Sequence, residues 1–513
     1  MRATTSSVLL LALVLALPAG ADPLADYNRA LAAFNEGRSL EAASTFHRLV
    51  TGADDPQVRR RAEYYLGRAL LKADLPFSAA THFSNVLEEG ADHPFALEAV
   101  EGLVEVQARV DDQALIPSRL NDRYDPQAWA RLSPQVQGRI NLMVARIARR
   151  QGKLEEARVF LEAIDASHPV YAQAQYLLGV TLADPRFPGR GGEAQDRALN
   201  QKALEAFSRV VGLKDGKKYE SLENTRDLAT LGMGRVHYAM GDFAAASRAY
   251  GQIGRETRYW DVALFEDGFA RFRNDDPGGA LGSLQSLYAP QFASAFQPES
   301  RILTATIYYF SCLYDESKRA LEAQERIYGP MHRALESLLD EEADHPPAYF
   351  HRLVAESDSR VPAPIMTWLR GNARLAGAME NLRQLDREEA RIAQSPALST
   401  GGLGAALREQ LAGNREVLVQ VAGTLARDRL AEAKGNIETF RDQANIIRFE
   451  ISNAEKELAM EGIDQQAYLA SQSIYRPAMP APDFHYWRFQ GEFWRDEIGA
   501  YRYTLKNGCV QRE

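Results

Sequence analysis

Two cysteines, Cys312 and Cys509, are the residues whose chemistry depends most on where the protein resides. In an oxidising compartment they could form one disulfide bond, and the chain-entropy model assigns a loop of this length about 4–5 kcal/mol. Such a bond would tie the C-terminal tail back onto the preceding region. Two unpaired, buried thiols are the alternative, and the sequence leaves both open.

The sequence contains no motif that would build a catalytic or cofactor site. Residues 216–218 (Gly-Lys-Lys) lack the preceding glycine and the following hydroxyl residue of a phosphate-binding loop. Residues 232–234 (Gly-Met-Gly) follow no strand, which excludes a dinucleotide-binding turn. No cysteine pair has zinc spacing. We therefore predict no catalytic residue, no metal and no cofactor, and we expect the chain not to be an enzyme.

Adjacent acidic residues recur, and paired carboxylates are common in acid–base catalysis. Glu155 and Glu156 form one such pair, and Glu388 and Glu389 form another. Consecutive residues on a helix do not face each other, so these carboxylates are not expected to act together. We interpret the pairs as solvated helix surface.

The bulk composition fits a folded chain of more than one domain. The chain has 513 residues, 45% hydrophobic and 25% charged, which is too long for a single core. Lys and Arg total 60 against 69 Asp and Glu, a net charge of −9. This balance argues against nucleic acid as a partner.

The N-terminus has the layout of a secretory signal peptide. Arg2 precedes an unbroken apolar run at residues 8–17, which Pro18 interrupts shortly before Ala21. The run is shorter than the roughly twenty residues needed to cross a bilayer. We predict a signal peptide at residues 1–21, cleaved after Ala21, with no later transmembrane segment; a short membrane anchor is the alternative. The mature protein is then expected in the periplasm or outside the cell.

One spacing of side-chain sizes recurs through the first two-thirds of the chain. A small residue is followed after twelve positions by a second small residue, and four positions later by a bulky one. The copies are Ala30/Ala42/Phe46, Gly67/Ala79/Phe83, Ala145/Ala157/Leu161, Gly234/Ala246/Tyr250, Gly268/Ala280/Leu284 and Ala305/Ser317/Leu321. Two antiparallel helices explain this spacing, because small residues let the backbones approach where the helices cross.

A turn residue lies between the two small residues of each copy. These residues are Gly37, Asp74, Gly152, Gly241, Asp275 and Cys312. Glycine is the usual residue just beyond a helix end, and glycine and aspartate are both common in turns. The pattern therefore predicts consecutive helical hairpins.

The copies resemble the tetratricopeptide repeat (TPR) family. Residues 234–250 carry its pattern most fully, and residues 152–157 match its turn and second helix. The resemblance covers residues 23–330 and implies an all-α solenoid whose concave face binds an extended peptide or helix. The outward positions of the first helices are then candidates for partner binding, or else ordinary surface. These candidates are Arg68, Arg146 and Arg235.

Two segments depart from the repeat pattern. We interpret residues 95–130 as a worn repeat or a connecting helix pair. Between Gly179 and Ala203, residues 184–192 add a loop rich in proline and glycine. Insertions in solenoids collect on one face, often the binding face, although surface loops also accept insertions without a function.

Two helices joined by a glycine-rich link are predicted after the repeats, at residues 365–394 and 405–459. Apolar residues of the second helix alternate three and four apart, the heptad spacing of coiled coils, and the register resumes at Leu430 after a skip of one residue. They are Leu407, Leu411, Leu418, Val421, Leu425, Leu430, Ala433, Ile437, Phe440, Ala444, Ile447, Ile451, Ala454 and Leu458. So long a stripe needs a cover, which is either a partner, including a second copy of this chain, or the chain's own solenoid.

Aromatic residues crowd the C-terminal tail. Trp487 and Trp494 are the candidates for contact with a partner or a carbohydrate. The alternative is that the tail folds back and caps the last repeat, which has an apolar face to cover. A bond between Cys312 and Cys509 would favour the cap.

The predicted organisation is a signal peptide (1–21), a TPR-like solenoid (22–345), a long helical hairpin (346–460) and the aromatic tail (461–513). Residues 308–312, 405–459 and 493–497 also resemble TPR proteins in the envelopes of gram-negative bacteria such as the myxobacteria, including those of gliding motility machinery. We expect a periplasmic scaffold that binds envelope proteins. The alternative is a protein that binds or processes peptidoglycan or polysaccharide, which the tail aromatics suggest.

Overall fold

The structure is a computed structural model that describes residues 22–354, 360–399, 402–472 and 492–510. These residues form helices and connecting turns, with no β-strand among them. The all-α prediction is confirmed for this part of the chain. The predicted signal peptide and the candidate Trp487 lie outside the described residues.

The described ranges contain 23 α-helices and one short 3-10 turn at Pro290–Phe292. The helices are α1 (Pro23–Asn35), α2 (Ser39–Gly52), α3 (Pro56–Lys72), α4 (Pro76–Glu88), α5 (Ala96–Val110), α6 (Leu115–Asp122), α7 (Pro126–Trp129), α8 (Pro134–Arg150), α9 (Leu154–Glu162), α10 (Tyr171–Ala183), α11 (Glu193–Gly212), α12 (Leu222–Ala239), α13 (Phe243–Tyr250), α14 (Trp260–Arg273), α15 (Pro277–Leu287), α16 (Glu299–Phe310), α17 (Tyr314–Glu341), α18 (Pro346–Val354), α19 (Ala363–Arg370), α20 (Ala373–Gln394), α21 (Pro396–Ser399), α22 (Gly402–Met460) and α23 (Gln465–Ser471). None of these helices is both long enough and apolar enough to span a bilayer.

Most hairpins of the repeat region turn on a residue in the left-handed conformation. These residues are Gly37, Asp74, Asp111, Gly152, Gly241, Asp275 and Cys312, with φ between 48° and 84°. The N–H of the next residue typically donates to a carbonyl five positions back, as from Leu75 to Leu70 at 3.0 Å. This is the Schellman ending, which satisfies carbonyls that the helix leaves open. The predicted turn residues are confirmed.

The small residues lie where the two helices of a hairpin cross. A Cβ atom added to Gly67 would lie 2.8 Å from Cε1 of Phe83, and one added to Gly268 would lie 3.2 Å from Cγ of Leu284. The predicted spacing of small and bulky residues therefore reflects close helix packing, in which one extra methyl group has no room.

Residues 95–130, which depart from the repeat pattern, also contain a helical hairpin. Helices α5 and α6 are separated by a left-handed residue, Asp111. Gly102 of α5 packs on the ring of Phe83 from the preceding hairpin, where a Cβ atom would lie 2.7 Å from the ring. Both features match the other hairpins, which favours the worn repeat over a simple connection.

The inserted loop at 184–192 is anchored to its own hairpin. Phe187 is buried and joins the core cluster formed by helices α8 to α12. The Arg190 guanidinium donates to the Asn200 side chain at 2.8 Å and to the Leu182 carbonyl at 2.6 Å. The packing gives this loop a structural role within the core.

The chain divides into two compact units. The first comprises Met1–Trp129 and Arg383–Arg415, and the second comprises Ala130–Leu382 and Glu416–Glu513. Each unit therefore combines repeat hairpins with part of the C-terminal helices. The predicted boundary at residue 345 lies within the second unit.

The C-terminal helices differ in detail from the prediction. The single helix expected at 365–394 is broken at Gly371 into α19 and α20. The Asn372 side chain accepts the backbone N–H of Leu375 at 3.1 Å and so starts α20 as an N-cap. The long helix predicted at 405–459 is present as α22, which runs without interruption.

The apolar stripe of α22 is buried within the chain. Its buried members are Leu403, Leu407, Leu411, Leu418, Ala422, Ala426, Leu430, Ala433, Ile437, Ala444 and Ile451. In the second unit, Ala444 and Ile451 share a core cluster with Leu321 of α17 and Ile302 of α16. The chain's own helices therefore cover this part of the stripe.

One stretch of the stripe has a different register from the predicted one. Val421 and Leu425 were expected on the buried face, but Ala422 and Ala426 are the fully buried residues there. A Cβ atom on the adjacent Gly423 would collide with the backbone at the start of α18. Small side chains face this contact because the two backbones approach closely.

Candidate partner-binding surfaces

The three candidate arginines occupy equivalent places, each directly after the small residue of a helix crossing. Arg68 pairs with Glu105 of α5 at 2.9 Å, and Arg235 pairs with Glu266 of α14 at 2.6 Å. Each of these ion pairs joins the first helices of neighbouring hairpins. The candidate arginines therefore already have contacts within the chain.

Arg146 makes the corresponding contact with a neutral partner. Its guanidinium donates to Oε1 of Gln173 on α10 at 2.8 Å. At this step the acidic residue of the other two pairs is replaced by an amide. The same contact between neighbouring first helices therefore recurs at all three positions. It is an ion pair at Arg68 and Arg235 and a hydrogen bond to a neutral amide at Arg146.

The two cysteines are brought together as the disulfide bond Cys312–Cys509. Cys312 has a φ of 52° and occupies the turn position that glycine or aspartate fills in most other hairpins. A residue with a Cβ atom in this conformation costs about 1 kcal/mol or more. The Cys312 carbonyl also accepts from the Gln465 side chain of α23 at 2.6 Å. The bond fastens the tail to the turn between α16 and α17.

The tail segment 492–510 lies against the last hairpins as a bound peptide. The backbone N–H of Tyr503 donates to the Gly278 carbonyl on α15 at 2.9 Å. A Cβ atom on Gly278 or Gly282 would collide with the tail backbone. Glycine at these positions allows the tail to approach the helix backbone.

Side chains of the tail add an apolar anchor and several polar contacts. Ile498 is 3% exposed and packs in a cluster with Trp260, Leu264 and Ala289. The polar contacts include Arg502 to Asp276 (2.7 Å), the Tyr503 hydroxyl to Gln285 (3.2 Å), the Gly499 N–H to the Ser286 hydroxyl (2.8 Å) and the Gly508 N–H to the Ser311 carbonyl (2.9 Å). The described tail therefore covers the α14–α16 surface, as the capping alternative requires.

Nothing in the repeat pattern pointed to this groove, although one signal was present. Helix α15 begins Pro-Gly-Gly-Ala-Leu-Gly. Each glycine inside a helix costs about 1 kcal/mol relative to alanine, and the hairpin crossing needs only the small residue Ala280. Two of the surplus glycines, Gly278 and Gly282, mark the close approach of another backbone.

The second candidate tryptophan directly precedes two tail residues, Arg495 and Asp496, that line a cleft. Trp494 is 59% exposed. A cleft of about 550 Å³ lies nearby, lined by Arg255, Glu256, Trp260, Gln291, Arg495 and Asp496. Arg255 donates to the Asp496 carbonyl at 3.0 Å. Since tail residues supply part of the lining, the cleft depends on the tail being seated.

Glu388 contradicts the interpretation of the acidic pairs as solvated surface. It is 1% exposed, and its carboxylate accepts the backbone N–H groups of Phe77 at 2.7 Å and Ser78 at 3.1 Å. Burial raises the pKa of Glu388 to about 7, against the opposing effect of these hydrogen bonds, and the charge of Asp74 adds to the increase. Its neighbour Glu389 stays accessible to solvent. The prediction was wrong because α20 packs one of the two carboxylates against a helix end.

Among the described residues, no three His, Cys, Asp or Glu side chains lie close enough together to hold a metal ion. No protein-family model matches this chain, and comparison with curated proteins found no significant match. The function has to follow from the surfaces themselves.

Proposed function

We propose that this chain is a scaffold that binds other proteins through the surfaces of its helical hairpins, in an assembly of the bacterial cell envelope. One observation carries the proposal. The α14–α16 surface already holds a peptide segment, the chain's own tail, through backbone hydrogen bonds to Gly278 and Ser311 and through the buried Ile498. Backbone pairing with an anchored side chain is the general chemistry of peptide recognition. The proposal assigns no catalytic step to the chain.

The proposal also covers the protein family, the cellular compartment and the class of partner. The left-handed turns and the glycines at the helix crossings support a place among TPR-like proteins. The Cys312–Cys509 bond supports an oxidising compartment, the periplasm or the outside of the cell, reached by a signal peptide cleaved after Ala21. The sequence resemblance to envelope TPR proteins is the basis for naming envelope proteins as partners.

Self-association through residues 405–459 would use a narrower surface than the heptad stripe. The stripe is buried within the chain, whereas Ile446 and Phe449 of α22 are 62% and 64% exposed. These two side chains lie about one helical turn apart on the same side of the helix. A second copy would have to dock on this pair.

Photo-crosslinking in cells tests the scaffold function. A photoreactive phenylalanine is placed at Phe310, which is 66% exposed at the end of a first helix, α16. The matched control is Val159, a 54% exposed apolar residue on a second helix, α9. We expect discrete protein adducts from position 310 and none from position 159. Equal adducts at both positions, or none at either, would contradict a specific partner surface.

A second candidate function is binding of peptidoglycan or another polysaccharide. The exposed indole of Trp494 beside the cleft favours it, because sugars stack on exposed aromatic faces. Sedimentation with purified peptidoglycan measures this activity. Loss of sedimentation in Trp494→Ala, with unchanged thermal stability, would support this function over the scaffold. Protein that stays in the supernatant would exclude it.

A further inference from the structure

The groove on α15, defined by Gly278, Gly282, Gln285 and Ser286, holds the tail through contacts that another copy of the same tail could make. We propose that it is an exchangeable peptide site. The chain's own tail fills it while the Cys312–Cys509 bond is intact, and once that bond is reduced the tail of a second copy fills it at high protein concentration. The inference rests on the proposed scaffold function and names one partner for it.

Main-chain contacts identify the ligand class as a peptide. The Tyr503 N–H donates to the Gly278 carbonyl at 2.9 Å, and the Gly508 N–H donates to the Ser311 carbonyl at the same distance. Such bonds give affinity for an extended chain without depending on its side chains. The missing Cβ atom of Gly282 admits the peptide backbone at Tyr501 and Arg502.

Side-chain contacts then select this particular sequence. Ile498 fills an apolar site beside Trp260, and burial of this aliphatic side chain stabilises the seated tail. Arg502 of the tail pairs with Asp276 at 2.7 Å, so the positive charge of the ligand is complementary to the negative charge of the groove. A tail with the same residues in another order would lose both contacts.

The disulfide bond controls the exchange. Cys312 and Cys509 are each only partly buried, which leaves the bond open to an external dithiol. A thiolate of the dithiol attacks one sulfur and forms a mixed disulfide, and its second thiol then resolves that intermediate. Two electrons and two protons pass to the cysteines, and the dithiol leaves as its own disulfide.

A second copy of this chain is the occupant because exchange of an identical segment preserves every contact. This is the physical reason that segment swapping is a low-cost route to dimers. The described residues end after α23 at residue 472 and resume with the tail at residue 492. The chain's own tail competes as an intramolecular ligand, and for a short flexible link the effective concentration is roughly millimolar. Exchange therefore needs the bond open and is favoured at high protein concentration.

Two full-length variants with one cysteine each test the proposal. Cys509→Ser keeps the groove-side thiol, and Cys312→Gly keeps the tail thiol while supplying the residue type that other turns use. Neither variant can close its own bond. Mixed in a glutathione redox buffer, they should form a disulfide-linked heterodimer on a non-reducing gel. Each variant alone should form far less dimer.

Competition shows whether the groove directs this bond. An excess of a synthetic peptide of residues 492–513, with serine in place of Cys509, should suppress the heterodimer, and a scrambled peptide should not. The peptide concentration that suppresses half of the heterodimer should be about tenfold higher when the peptide carries Ile498→Ala. The proposal is overturned if the folded variants give no heterodimer, or if the native and scrambled peptides act equally. Cys509 of the tail contacts the Phe310 carbonyl at 3.6 Å, so adducts at position 310 with a second copy of this chain report on exchange. Adducts there with a different protein report on the scaffold function, so the two proposals can fail separately.

Discussion

Glu388 of α20 and Ser78 at the start of α4 are joined by two hydrogen bonds. The carboxylate accepts the serine backbone N–H at 3.1 Å and the serine hydroxyl at 2.9 Å. A helix N-terminus leaves N–H groups without partners inside the helix, and α4 has Leu75, which cannot cap, at its N-cap position. The Glu388 carboxylate, which comes from another helix, therefore caps the N-terminus of α4 and joins α20 to the second hairpin of the first unit.

Replacing Glu388 should destabilise the protein. Glu388→Ala leaves buried N–H groups of Phe77 and Ser78 without an acceptor, which costs about 2–3 kcal/mol. Glu388→Gln should cost less, because the amide oxygen still accepts one bond. Urea denaturation followed by circular dichroism measures both. Glu389→Ala is the control; this solvent-accessible neighbour pairs with Arg415 at 3.0 Å, and its loss should cost no more than about 1 kcal/mol. Equal losses for the two alanine variants would contradict this role.

Stability should fall as pH rises from about 5 to 7. The pKa of Glu388 is raised from 4.5 to about 7, so the folded state holds the proton more tightly than the unfolded state. The stabilising effect is complete below the unfolded pKa and is lost as pH rises through the folded pKa, a change on the order of 3 kcal/mol. Thermal melts across this range measure it. In Glu388→Gln the dependence should be flatter, and an unchanged pH profile in that variant would rule out Glu388 as its source.

Substitution by alanine should have opposite effects on stability at two glycines, because only one of them lies at a helix crossing. A Cβ atom on Gly67 would lie 2.8 Å from the Phe83 ring, so Gly67→Ala should cost about 1–3 kcal/mol. Gly435 lies within α22 with no atom within 4 Å of its Cβ position. Gly435→Ala should therefore stabilise the helix by about 0.5–1 kcal/mol. Melting temperatures that shift in the same direction for both would show that crossing geometry is not what requires glycine.

The ion pair between Arg235 and Glu266 should contribute little to stability. Its 2.6 Å contact joins a 56% exposed arginine side chain to a 19% exposed glutamate side chain. Solvent-exposed pairs contribute about 0–1 kcal/mol and weaken as salt rises. A double-mutant cycle with Arg235→Ala and Glu266→Ala, repeated at low and high salt, measures the coupling. Coupling well above 1 kcal/mol that ignores salt would mean that the pair is effectively buried.

The sequence by itself determined the elements that depend on nearby residues. The alternation of small and bulky side chains predicted the hairpins, because each crossing joins positions such as Gly67 and Phe83 that one turn separates. Glycine and aspartate predicted the turns, since only a few residue types adopt the left-handed conformation easily. Cys312 was placed at such a turn by its position in the repeat spacing, and its φ of 52° agrees with that placement.

The tertiary structure alone decided which surfaces those elements cover. The heptad spacing of α22 showed that its apolar stripe must pack against other residues. It did not show that Leu321 of α17 is one of the residues that cover this stripe. Glu388 meets Phe77 across 311 positions of the chain, and the tail meets α15 across more than 200. Contacts between such distant segments depend on how the helices are arranged in space, and that arrangement leaves no periodic signal in either segment.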